Sequence, residues 1–161
     1  MSNYDWSTFT KRININAEKE VIFNSFTSQS SLENWFLSNA QFFSKMEPKD
    51  RSEKVERGDT YCWMWYGSDD VAEGEILEYD SSHLIFTFLG DIVTIKVKVE
   101  DGENILELIQ SDIETDEQSK ISSYVGCTRG WTFYMANLKS ILEGGIDLRN
   151  KNSNLQNVIN T

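Results

Sequence analysis

The side chains that could carry chemistry in this 161-residue chain are few: one histidine, two cysteines, a cluster of glutamates and a dense run of aromatic residues. His83 stands alone, so a Ser-His-Asp triad or a multi-histidine metal site would rest on it without support. It follows Asp80-Ser81-Ser82 and reads as an exposed turn residue at a strand start. Cys62 and Cys127 are isolated from each other and from His83, and read as buried free thiols. No Gly-rich phosphate loop, paired-histidine zinc motif or EF-hand spacing occurs. We therefore expect no catalytic set, no metal and no cofactor. Glu73, Glu75 and Glu78 crowd one segment, with 73 and 75 on one strand face and 78 on the other. A carboxylate held against aromatic rings could acquire a raised pKa and act as an acid or base, although solvated strand residues are the simpler reading.

The aromatics are the sharper signal. Thr60-Tyr61-Cys62-Trp63-Met64-Trp65-Tyr66 places large apolar side chains on both faces of one strand. Only one face can look into the interior. The other needs cover from Tyr4 and Trp6, a second subunit, or exposure as a patch. Trp63 and Trp65 on this strand join Trp35, Phe36, Phe86, Phe88, Tyr124, Trp131 and Met135 as the candidate walls of an aromatic pocket. Tyrosine and tryptophan there offer polar handles for a mostly apolar guest.

Charge narrows the partners. The chain carries 15 basic and 26 acidic side chains, a formal net charge of -11. Residues 69–120 alone hold three basic and fifteen acidic groups, net -12, so the excess belongs to the middle third. A nucleic-acid binder needs a basic face, and so does a protein that adheres to an anionic membrane surface; neither role is expected. The start, Met1 to Trp6, has no basic and apolar leader pattern, and two cysteines make no disulfide framework. A cytoplasmic location is the expectation.

These residues need elements to position them. Alternation predicts a strand over Thr8–Ile15, then a helix capped by Asn16 with Ile22, Phe23 and Phe26 on its apolar side. Ser30-Ser31-Leu32-Glu33 reads as a capping box opening a second short helix through Trp35 and Phe36. A strand is expected near Gln41–Met46. Glu47–Asp59, which holds the only proline, alternates charge without apolar periodicity and reads as a mobile loop. Five strands follow, over 60–66, 71–79, 83–89, 92–100 and 104–111, separated by turn signals such as Asp101-Gly102. Leu84, Phe86 and Phe88, then Val93, Ile95, Val97 and Val99, then Leu106 and Leu108 should share the buried face, with Glu107 opposite. A long helix over Ile121–Glu143 shows an apolar stripe through Ile121, Tyr124/Val125, Trp131, Met135 and Leu138, and Gly144-Gly145 stops it.

The expected architecture is thus α+β: a curved antiparallel sheet of six or seven strands wrapped around a long C-terminal helix, with two short helices after the first strand. One domain should span 1–149, and 150–161 should be a polar, frayed tail. A single helix cannot fill the hollow of such a sheet, so a cavity follows from the topology, with the 47–59 loop near its mouth.

The Asn16–Phe26 helix start, Trp35-Phe36, Gly74-Glu75-Ile76-Leu77-Glu78, Leu106 to Gln110, Gly130-Trp131 and Leu142-Glu143-Gly144-Gly145-Ile146-Asp147-Leu148-Arg149 resemble a known family. It is the SRPBCC superfamily of START-like helix-grip domains, in the branch named for activators of the heat-shock-protein-90 ATPase. The resemblance covers roughly residues 8–149 and implies a hydrophobic cavity between sheet and C-terminal helix. It brings no catalytic signature, and the 47–59 insertion looks longer than the usual connection. It singles out Glu75 by family position as the carboxylate for an acid-base role; an enzyme reading would pair it with Tyr124 as hydrogen-bond donor.

Three readings compete. A non-enzymatic module holding a small hydrophobic or aromatic molecule is preferred, ahead of a protein-protein adaptor or chaperone ATPase regulator, and of an enzyme using a pocket carboxylate. A homodimer and a chaperone are the compatible protein partners. With no basic cluster on the helices, the guest should be neutral or weakly cationic, and Arg129 is the residue best placed to change that.

Overall fold

The computed structural model describes residues 3–160. Eight strands form one antiparallel sheet: β1 (Phe9–Asn14), β2 (Asn39–Ser44), β3 (Glu47–Pro48), β4 (Thr60–Met64), β5 (Val71–Tyr79), β6 (His83–Phe88), β7 (Asp91–Glu100) and β8 (Glu103–Ser111). Their spatial order is β1-β8-β7-β6-β5-β4-β2-β3, so the meander is closed on one side by the first strand. Two short helices, α1 (Lys19–Asn24) and α2 (Gln29–Glu33), follow β1 as an elbow. The C-terminal helix lies across the concave face. The α+β architecture expected from the sequence is the one observed.

The eighth strand is the unexpected one. Lys45 and Met46 adopt positive φ angles of 50° and 70°, which turns the chain back so that Phe43 pairs with Pro48. Proline is tolerated there because β3 is an edge strand and its missing N–H breaks no ladder.

The segment beyond β3 is not the loose loop its composition suggests. Lys49 is buried, and its Nζ donates to Asp59 Oδ2 at 2.7 Å and to the Lys54 carbonyl at 2.8 Å. Val55 is fully buried, with its N–H on the Thr27 carbonyl at 2.8 Å. Gly58 N–H donates to the Ile76 carbonyl at 2.8 Å, and Ile76 N–H to the Asp59 carbonyl at 2.8 Å, so this stretch runs alongside β5. A sequence window carries no periodic trace of such order because a buried ion pair between distant positions supplies it.

Capping also departs from expectation. The side chain of Ser28, not Ser30, caps α2 by accepting from Ser31 N–H at 3.3 Å. Glu33 is thereby free to accept from Ala40 N–H at 3.0 Å and to pair with Arg51. Glu18 occupies the α1 cap position, while Asn16 N–H donates to Glu143 Oε1 at 2.9 Å.

Most of the alternation holds. Leu84, Phe86, Phe88, Val93, Ile95, Val97, Leu106 and Leu108 are buried, but Val99 is exposed near the far end of β7. Glu107 lies on the outer face and is nonetheless buried, beneath Arg12 and Lys98. A β-bulge between Ile76 and Glu78 changes the register of β5, so that Glu78 pairs with Ile85 and Tyr79 with Leu84. Glu78 therefore joins Glu73 and Glu75 on the exposed side instead of opposing them.

The C-terminal helix starts earlier than predicted. Asp116 caps α3 (Glu117–Ser119), a π-helical turn spans Lys120–Val125, and α4 runs Gly126–Leu142. Gly144, at φ 82°, ends it in the left-handed region. The π turn inserts extra chain per turn and shifts the phase of the apolar stripe. Ile121 and Val125, predicted to be core, are consequently exposed, and Tyr124 is buried toward β1.

Buried polar groups tie this helix to the elbow. Asn137, fully buried, donates through Nδ2 to the Trp35 carbonyl at 2.8 Å and accepts from Leu148 N–H at 2.7 Å. The buried Arg149 guanidinium donates to the carbonyls of Leu37, Glu33 and Asn34 at 2.9–3.1 Å and pairs with Asp147 at 2.7 Å. Beyond it the described residues form no helix or strand, and the Asn160 side chain donates to the Tyr66 and Asn150 carbonyls.

Burial pushes the Asp147 carboxyl upward, but bonds from the Arg149 side chain and N–H and from Lys151 outweigh that and hold it well below the usual carboxylate range. A group whose pKa is depressed by folding stabilises fully above its unfolded value and loses that contribution as pH falls toward its folded one. Urea denaturation should therefore show stability declining below about pH 4. Asp147→Asn should be less stable at neutral pH and show a shallower acid decline; parallel profiles for the two proteins would contradict this assignment.

Candidate functional site

A cavity of about 480 Å³ opens between α4 and the sheet at the end formed by β4, β5 and β6. This lies within the roughly 300–1,000 Å³ of small-molecule sites. Ser122, Gly126, Gly130 and Tyr134, four residues apart along the helix, face it, with Cys127 and Trp131 beside them. Phe36 enters from the elbow, and Trp65, Ala72 and Phe88 from the sheet. Ser68, Asp70, Val71 and Leu89 form the rest of the lining, and Asp70, Val71 and Leu89 are exposed.

The glycines leave this space open. A Cβ placed on Gly130 meets no atom within 4 Å, and one on Gly126 meets only the Ile121 carbonyl oxygen at 3.7 Å. Glycine inside a helix costs about 1 kcal/mol relative to alanine, so two of them on one face favour space over helix stability.

The aromatic walls are held in fixed attitudes. Trp35, Phe36 and Trp131 form a three-ring stack with centroids 5.2 and 5.0 Å apart. Trp131 Nε1 donates to Gln110 Oε1 at 2.9 Å, and the fully buried Gln110 donates through Nε2 to Asp91 Oδ2 at 2.6 Å. The indole N–H is thus committed to the protein, and the ring presents carbon to the cavity. Burial pushes the Asp91 carboxyl up against the opposing Gln110 bond, and pushes the Cys127 thiol and the Tyr134 phenol up as well. Cys127 is therefore not an activated thiolate.

Of the predicted pocket residues, Phe36, Trp65, Phe88 and Trp131 come together on the walls. Trp35, Trp63, Phe86 and Met135 do not; they are buried around the cavity rather than on its surface. Trp35 Nε1 donates to the Ser25 carbonyl at 2.9 Å, and Trp63 stacks on Tyr61 at 3.8 Å behind Phe36 and Phe88. Trp63 Nε1 is buried without a hydrogen-bond partner among the described residues. Tyr124 is turned away by the π turn, bonding the Tyr4 hydroxyl and packing on Trp6 and Phe9. Glu75 is exposed on the outer face, which removes it from the cavity.

Tyr61 and Trp63 are the buried side of β4, and the outer side carries the half-buried Cys62, so that thiol is not fully enclosed. Tyr4 and Trp6 do not cover this outer side. Tyr66 instead sits beneath Arg149 and Lys151, each 5.4 Å from its ring. The Tyr61 ring lies over Gly74, where a Cβ would come within 2.4 Å of the phenol oxygen. Arg129 is exposed and not part of the walls, and the 47–59 segment lies against the elbow rather than at the mouth. His83 is half-buried, bonded to Glu78 at 2.8 Å on the outer face.

Sequence reasoning missed Tyr134, Cys127, Asp70 and the two glycines. The four-residue spacing of Gly126 and Gly130 on an otherwise apolar stripe was the available signal. A second depression, about 910 Å³, runs between α1 and the β5–β6 turn, but its walls mix Phe23 and Tyr79 with charged side chains and it lacks an aromatic enclosure.

No family model and no curated protein sequence matches the chain. Solved structures do. A crystal structure of a Staphylococcus saprophyticus protein is 18% identical, covers 88% of this chain and 96% of its own, and superposes with a TM-score of 0.69. The solution structure of the Aha1 dimer from Colwellia psychrerythraea is 16% identical over 86% of this chain and 97% of its own, with a TM-score of 0.65. DynU16, from the dynemicin biosynthetic locus, is 16% identical over 90% of this chain and only 50% of its own, with a TM-score of 0.68. At such identities the likeness is one of fold, and the fold is the helix-grip.

Proposed function

We propose that this protein is a non-catalytic binding module that holds a small hydrophobic or aromatic molecule between the sheet and α4. The observation that carries this reading is the Gly126–Gly130 face, where the helix omits side chains opposite a wall of fixed aromatic rings. A core built for stability alone would fill that space, since a void forfeits both transfer energy and dispersion contacts. The enzyme reading loses its acid-base candidate with the exposure of Glu75.

An adaptor role is the second reading, favoured by the exposed Ile121 and Val125 on the π turn. A homodimer or a chaperone regulator's contact would use that face. For a homodimer, sedimentation should show a concentration-dependent dimer that Val125→Asp returns to monomer; a wild-type monomer at every concentration counts against it.

The principal reading is tested by native mass spectrometry of freshly purified protein, with Nile red as a neutral apolar probe. We expect a bound small molecule or dye uptake in the wild type. Gly130→Leu should lower dye affinity by about tenfold or more, and Gly130→Ala should raise stability by about 0.5–1 kcal/mol. Undiminished dye binding in Gly130→Leu would overturn the assignment of the cavity.

A further inference from the structure

We infer that the molecule held in this cavity is an organic cation, a tertiary or quaternary amine carried on an aromatic or branched hydrocarbon body. The inference rests on the binding-module reading and specifies its guest. Five aromatic residues line the cavity, Phe36, Trp65, Phe88, Trp131 and Tyr134, and no lysine or arginine does. The single charged residue on the walls is Asp70, at the exposed mouth beside Trp65, and it forms no ion pair among the described residues.

Each class of guest meets a different balance. An anion would enter a site without a cationic partner. The buried guanidinium of Arg149 is not on the walls and is turned to Asp147 and three backbone carbonyls instead. A neutral hydrocarbon would gain burial but nothing from the carboxylate. A weakly hydrated alkylammonium gains burial of its carbon, attraction to the negative faces of the rings, and the field of Asp70. A further acid stands behind the aromatic wall: Asp91 is buried two hydrogen bonds from Trp131, through Gln110. The strand segment 69–120, net -12, supplies the surrounding potential. Because Asp70 is solvated at the mouth, the charged head belongs there, with the apolar body inward against Gly126 and Gly130.

The test compares benzyltrimethylammonium with its uncharged carbon isostere, 2,2-dimethylpropylbenzene, as competitors of Nile red on the full-length protein. We expect the cation to bind about tenfold more tightly at low salt, with the preference narrowing as salt rises. Asp70→Asn should reduce that preference by about two- to fivefold, and Trp65→Leu should reduce it further while the isostere retains most of its affinity. Equal or weaker binding of the cation, or displacement of dye by neither compound, overturns the cationic guest and leaves the cavity reading standing. Failure of the dye to bind at all overturns both.

Discussion

A straight helix laid against a curved sheet touches it along part of its length, and what happens at the open end governs this molecule. The sheet is fixed by its meander and by the β1–β8 closure, so its hollow has a set depth. Where α4 carries Met135 and Leu138 that depth is filled. Where it carries Gly126 and Gly130 it is not, and the aromatic residues of the elbow and strands border the remainder. Most proteins avoid such vacancies because interiors pack to crystal density. The vacancy here is maintained by rigid surroundings.

Those surroundings are tied by buried polar groups rather than by apolar contact alone. Arg149 and Asn137 bind the carbonyls at the end of the elbow, so α4, the elbow and the chain beyond α4 are tied to one another. Gln110 holds the Trp131 indole from the sheet side. Lys49 and Asp59 anchor the long connection against β5. Each of these groups is costly to bury and each is partnered, which confers a single arrangement in the manner of satisfied polar networks. Collapse of the cavity would require breaking several of them.

Much of the frame was legible in the sequence, since alternation in β5 to β8 and the spacing along α4 are local signals. The parts that were not legible depend on long-range or non-periodic events. The order of residues 49–59 comes from an ion pair ten positions apart that no window reads as structure. The exposure of Ile121 and Val125 comes from a π turn that shifts helical phase, and the same turn takes Tyr124 out of the site. Glu78 changes face because of a bulge. At the site itself, counting aromatics gathered residues on and around the cavity but could not separate lining from support: Trp63 and Phe86 sit behind the rings that face the space. Gly126 and Gly130 carry no chemical group to read, because they contribute by leaving room.

The binding reading requires a persistent apolar space against the glycine face of α4. Crystals of the protein exposed to xenon under pressure measure this most directly, because xenon occupies apolar voids without needing a complementary group. Ordered xenon density bordered by Gly126, Gly130, Phe36 and Phe88 is expected. A cavity closed by inward rotation of Trp65 and Tyr134, with no xenon beside the glycines, would contradict it.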